Sequence, residues 1–248
     1  MKPFLAVLRF LTILPLPACK GDEKAHLSRS VPFFPLVGLL IGLAVATVDS
    51  ALNHLFPPAL AGVFVVIALI GASGGLHLDG LADTADGFFS SRPRDRILEI
   101  MRDSRTGPMG VVALVCVISM KIAAVASIEV GRRWAAILLM PLAGRCALVV
   151  MLVLLPYARR EGGLATVFHQ NRSMPHMALA VAVLATVGWL SAGTEGLVMA
   201  AVSFAGILLF AAFTYARIGG LTGDTLGAAC EIVEVLPALV AVAASQSI

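Results

Sequence analysis

The stretch Gly74–Arg105, GGLHLDGLADTADGFFSSRPRDRILEIMRDSR, decides how this chain is read. An uncharged apolar run over 58–73 leads into it, and the reading expects no break between the two. Asp79, Asp83 and Asp86 stand four and three residues apart, so on a helix they share one stripe. Acids placed together repel unless a cation sits among them. The bland alternative is a solvated helix start, since acids are favoured near a helix N-terminus. Their neighbours, however, are Gly, Ala and Leu, and carboxylates held this close to hydrocarbon are costly unless they work. The expected work is holding Mg2+, a hard ion that keeps several waters and is completed by substrate phosphates.

Downstream, Arg92, Arg94, Arg96, Arg102 and Arg105 form a basic counterpart, and guanidinium forks match phosphate oxygens. A helix from Pro93 to residue 104 would be amphipathic and lie at the membrane interface, where its arginines could equally meet lipid headgroups. Arg102 and Arg105 remain within reach of a substrate in either case.

Of 248 residues, 59% are hydrophobic and 13% charged, against roughly 25% charged in soluble domains. With a mean hydropathy of +0.94, this is a polytopic membrane protein. Four cysteines (Cys19, Cys116, Cys146, Cys230) form no CxxC pair, which argues against both a disulfide framework and a zinc site. The N-terminal MKPFLAVLRFLTILPLPAC could be taken for a signal peptide, but Arg9 splits its apolar stretch. A retained interfacial helix ended by Pro15 and Pro17 is expected instead.

The fold class expected is all-α: one integral membrane domain across 1–248, with an interfacial segment at 1–30 and the acidic motif with its amphipathic helix at 78–106. Seven spans are expected, at 31–50, 58–77, 107–128, 134–155, 176–192, 196–216 and 225–244, each near the roughly 20 residues a bilayer needs. Lys20, Lys24, Arg29, the five arginines, Arg159, Arg160, Arg172 and Arg217 all fall in loops on one side, while the other side carries Arg132 and Arg133. The positive-inside rule puts the first set in the cytoplasm. Every polar motif then shares that face, in what is expected to be the inner membrane of a bacterium.

Two more motifs belong there. Pro156-Tyr157-Ala158-Arg159-Arg160-Glu161-Gly162-Gly163 combines phosphate-binding types with an aromatic, although it could be no more than a topology-fixing loop. Arg217 opens IGGLTGDTLGA, which puts Asp224 and Glu231 seven apart on one face of the last span. GGLHLDGL (74–81) and GGLTGDTL (219–226) echo each other and read as two glycine-then-acid helix starts facing one site. Arg145 and Lys121 lie mid-span, where a charge needs a partner. Lys121 is expected in a structural ion pair, and Arg145 against a core acid or substrate. His77 could act as a base or simply be hydrogen-bonded at a helix end. Asp49 and His54 look like ordinary boundary residues.

The chain resembles the cobalamin synthase family, the adenosylcobinamide-GDP ribazoletransferases. The resemblance rests on FLTILPLP, RSVPFFPLVGLLIG, GGLHLDGLADTADGF, RILEIMRDSRTGPMG, the PYAR…GGL loop and GGLTGDTLGA…E. Leu78 stands where some relatives carry an acid, which puts the weight on Asp79, Asp83 and Asp86. The resemblance implies a Mg2+-dependent membrane enzyme. In the implied reaction, a ribose hydroxyl of α-ribazole or its 5′-phosphate attacks the corrinoid-side phosphorus of adenosylcobinamide-GDP, and GMP leaves. On that reading Asp79, Asp83, Asp86 and Asp224 hold the metal, and Glu231 is a further ligand or the base. His77 joins the catalytic set, and Arg102, Asp103, Arg105, Arg145, Tyr157, Arg159 and Arg217 bind substrate. The expected partners are the corrinoid nucleotide, α-ribazole and membrane lipid but no nucleic acid, with a homo-oligomer left open. A CDP-alcohol phosphotransferase is a rival reading, though Asp83 follows Ala82 where that signature wants Arg. A transporter is the other rival, and it would spread its charges through the membrane depth.

Overall fold

In the computed structural model the described residues are 2–17, 21–103, 105–159 and 163–245. Cys19, Lys20, Arg160, Glu161 and Gly162 therefore lie outside them. Eleven α-helices are described: α1 (Lys2–Leu11), α2 (Glu23–Ser28), α3 (Phe34–Leu52), α4 (Pro58–Ser73), α5 (Leu76–Phe88), α6 (Arg94–Ile100), α7 (Pro108–Ser127), α8 (Val130–Leu154), α9 (Leu164–His169), α10 (Met174–Ile218) and α11 (Gly223–Ser245). With water excluded from the bilayer core, helices satisfy their own backbone polar groups, and an all-α multi-pass bundle results.

Among the described residues five helices are long and apolar enough to cross a membrane, with the 45-residue α10 counted once, and a sixth is added if α4 and α5 together make one broken span. The difference from seven separate spans lies at the second of them, because the expected run through 58–77 breaks. Gly74 and Gly75 both take positive φ (61° and 74°), a region glycine enters without steric penalty. The chain turns there by 93°, so α5 leaves the direction of α4 and is not itself among the five long apolar helices. The expected segments 176–192 and 196–216 are two helices, joined into α10 across non-helical Ala192 and Gly193. A Cβ on Gly196 would meet the Gly188 carbonyl at 1.9 Å, whereas eight residues of straight helix span about 12 Å, so α10 folds back on itself.

α8 is the centre of the bundle. Nearly every residue from Ala135 to Leu152 is buried, and α3, α10 and α11 pack around it. Charges buried among these helices are paired, because an isolated ion in hydrocarbon is prohibitively costly. Lys121 of α7 donates to Glu231 of α11 at 2.7 Å and lies 3.6 Å from Glu234, while Arg145 of α8 donates to Glu234 at 3.0 Å. At the opposite end of the bundle, Asp49 is no boundary residue: it is buried and lies 3.2 Å from Arg133. The amphipathic helix is shorter than the sequence suggested. α6 spans seven residues and seats Ile97 against Phe88, Ala158 and Ile218.

Candidate active site

α5 and the start of α11 cross at a glycine. An added Cβ on Gly80 would meet the Asp224 carbonyl at 2.6 Å, so only glycine lets the two backbones approach this closely. The two echoing motifs thus meet at one end of the bundle. Asp224 is fixed from both sides of the chain. Thr222 caps α11 by accepting from the Thr225 amide at 3.2 Å, and its own amide donates to the Thr225 hydroxyl at 2.8 Å. The Thr222 hydroxyl then donates to Asp224 Oδ2 at 3.2 Å.

Arg159 arrives through a backbone clasp. Leu221 donates to Pro156 O and Ala158 donates to Leu221 O, both at 2.8 Å. That pairing delivers the Arg159 guanidinium to Asp224 Oδ2 at 2.6 Å. Arg94 secures the clasp from α6, donating through Nε to Ile218 O and through Nη2 to Ala158 O, each at 2.7 Å. Sequence reading placed Arg94 in a basic cluster without seeing this role, because its partners are carbonyls far along the chain.

Asp79 and Asp224 line a common cavity of about 250 Å³ with His77, Tyr157 and Arg159. His77 is buried, and its Nδ1 has no hydrogen-bond partner among the described residues. The Asp83 carboxyl is pushed up to about 7, first by burial and then by the negative charges of Asp79, Asp224 and Asp86. A group of carboxylates that raises its own proton affinity is one that a divalent cation would relieve. A second cavity, of about 420 Å³, opens beside α6 and is lined by Arg94, Asp95, Leu98, Glu99, Arg102, Ala158 and Arg159. Arg159 is common to both.

The remaining expected site residues are placed elsewhere. Asp86 turns toward α7, where its two oxygens accept from the amides of Gly107 (2.6 Å) and Gly110 (2.8 Å), the orphan donors of that helix start. Glu231 and Arg145 belong to the buried ion network and line neither cavity. Arg217 donates to Phe88 O and sits over the Phe88 ring, tying the end of α10 to the end of α5. Asp103 and Arg105 pair with each other in an exposed loop, and that bonding holds the Asp103 carboxyl down at about 2. Among the described residues, no three His, Cys, Asp or Glu side chains are gathered closely enough to form a ready-made metal cage. The donor set nevertheless suits Mg2+, which commonly takes one or two carboxylates plus waters and substrate phosphates.

No solved structure matches the chain. A relative from Desulforamulus reducens, named adenosylcobinamide-GDP ribazoletransferase, is 41% identical over 228 residues, 92% of this chain and 90% of its own. A relative of the same name from Acetivibrio thermocellus is 38% identical over 236 residues, 94% of each chain. Another from Escherichia coli is 41% identical over 246 residues, 95% of this chain and 97% of its own. The family profile described as cobalamin-5-phosphate synthase matches residues 3–242, which takes in nearly all of α1 and of α11 together with both crossing motifs. The chain belongs to the cobalamin-5-phosphate synthase family.

Proposed function

We propose that this protein joins adenosylcobinamide-GDP to α-ribazole, or to its 5′-phosphate, releasing GMP. The observation that carries the proposal is the crossing of α5 and α11, which puts Asp79 and Asp224 on one cavity beside Arg159. Transfer at a phosphorus demands positioning and charge stabilisation more than covalent catalysis. The acceptor hydroxyl oxygen forms a bond to the corrinoid-side phosphorus, the bond from that phosphorus to the anhydride oxygen breaks, and GMP departs with the electron pair. Among the described residues both hydrogen bonds to the Asp224 carboxylate fall on Oδ2, so its Oδ1 is the oxygen suited to take the hydroxyl proton. Arg159 stands between the two cavities, where its guanidinium can hold phosphate oxygens, and Arg102 lines the second cavity for the same purpose.

Asp79 and Asp83, with Asp224 beside them, would hold Mg2+, which when bound neutralises phosphate charge. The arginine-rich end that carries the site faces the cytoplasm in this reading, because basic loops stay on that side of a bacterial inner membrane. The test is GMP release by purified protein given both substrates and Mg2+. Asp83→Asn should lower turnover at least about a hundredfold, within the range attached to lost electrostatic stabilisation, while the protein still inserts and melts normally. Near-normal turnover in that variant removes Asp83 from the site.

A further inference from the structure

We propose that the cavity under Asp79 and Asp224 is the seat of the acceptor's flat heteroaromatic base, an assignment that rests on the transferase reading above. Part of its lining is apolar and aromatic: Phe10, Phe34, Leu148, Leu152 and Phe168. The three phenylalanines come from α1, α3 and α9, and they meet around Phe168, whose ring centroid lies 5.2 Å from that of Phe10 and 5.3 Å from that of Phe34. Tilted and edge-on rings at such spacings make a favourable surface for another aromatic plane. The polar lining is His77, Asp79, Tyr157, Arg159 and Asp224, with Arg159 donating to Asp224 at 2.6 Å.

A ligand that matches both the phenylalanine cluster and the Arg159–Asp224 pair has a flat apolar part and a part that carries hydroxyls. A nucleoside with an uncharged bicyclic base has that form, with its ribose turned toward Asp224. Size points the same way: about 250 Å³ lies just under the roughly 300–1,000 Å³ that holds a drug-sized ligand, enough for one ring system and far too small for a corrin macrocycle. The macrocyclic donor therefore approaches from outside, with the α6 cavity across Arg159 open to its nucleotide end. A lipid acyl chain would match the apolar lining but would also set hydrocarbon against His77, Asp79 and Arg159.

Ala165 lines the same cavity from the short helix α9, so Ala165→Leu fills it with little demand on the membrane bundle. KM for α-ribazole and for the cobinamide nucleotide would be measured separately by GMP release from protein in nanodiscs. The expected result is an acceptor KM raised at least about tenfold, within the 10–200-fold that a methylene or so commands in an apolar pocket. The donor KM should stay within about twofold. Should Ala165→Leu not fold, Phe168→Leu supplies the second arm, with the same selective rise in acceptor KM. Unchanged acceptor KM in the folded variants, or an equal rise for both substrates, overturns the assignment. So does loss of copurifying phospholipid with KM unchanged, which would give the cavity to an acyl chain. A wild-type protein that releases no GMP sinks the transferase reading instead, and equilibrium binding of labelled α-ribazole to wild type and Ala165→Leu then decides the cavity on its own.

Discussion

Lys121→Met isolates the buried ion network. Lys121 and Arg145 balance Glu231 and Glu234, and all four side chains are 6% exposed or less. Removing Lys121 leaves Glu231 buried with its closest cation gone, because Arg145 hydrogen-bonds to Glu234. An uncompensated buried charge of this kind costs about 3–5 kcal/mol. At roughly 2–4 °C per kcal/mol for a chain of this size, the melting temperature in detergent should fall by at least about 6 °C. The double variant Lys121→Met/Glu231→Met should recover most of that loss, since replacing both members of a buried pair with apolar groups of similar volume is often neutral. A thermal melt paired with GMP release reads both properties. A single variant that melts like wild type, or a double variant as weak as the single, refutes the electrostatic reasoning. A double variant that melts normally yet transfers nothing would return Glu231 to the chemistry.

Protonation gives another handle. Asp83 moves from an ordinary value of 3.8 to about 7 on folding, so the metal-free folded state binds the extra proton across that window, and stability falls as pH rises through it. Calorimetry at pH 6, 7 and 8 should therefore show Mg2+ binding releasing protons and weakening as pH drops below about 7; no proton release at pH 7 contradicts the carboxylate cluster. Asp86→Ala should lower the melting point by an amount matching about 1–2 kcal/mol, a lost helix cap, with Mg2+ affinity falling far less than in Asp83→Asn. The reverse pattern, normal melting with lost affinity, would make Asp86 a metal ligand. Gly80→Ala forces a Cβ to within 2.6 Å of the Asp224 carbonyl, so α5 must back away and GMP release should fall about a hundredfold, as expected for a displacement near 1 Å. Unchanged turnover there means that the crossing does not set the site.

The membrane class and the mid-chain acids were legible in the sequence because hydropathy and helical spacing are local properties. The pairing of Lys121 and the pairing of Arg145 with a core acid could be foreseen for a related reason, since hydrocarbon leaves a charge few options. The glycine pair was less transparent. Gly74 and Gly75 sit in an uninterrupted apolar pattern, and a turn of 93° is written in their φ angles rather than in hydropathy. Asp86 shares a spacing with Asp79 and Asp83, yet it serves the start of α7 because the Gly107 and Gly110 amides need an acceptor. Arg94, Phe10, Phe34 and Phe168 matter through partners distant in the chain, and periodicity says nothing about such partners. The transporter reading loses its footing in the bundle interior, where the mid-depth charges are locked to one another.

The arrangement of that lock has a bearing on biogenesis. Both cations, on α7 and α8, leave the ribosome long before their counter-ions on α11, and the 89 residues between Arg145 and Glu234 take about 4–18 s to make at 5–20 residues per second. During that interval two guests with positive charge must wait in or near the translocation channel. α11 is the helix that neutralises them, so the same segment that carries Asp224 also closes the bundle, and a nascent chain cannot settle before Asp224 is aboard.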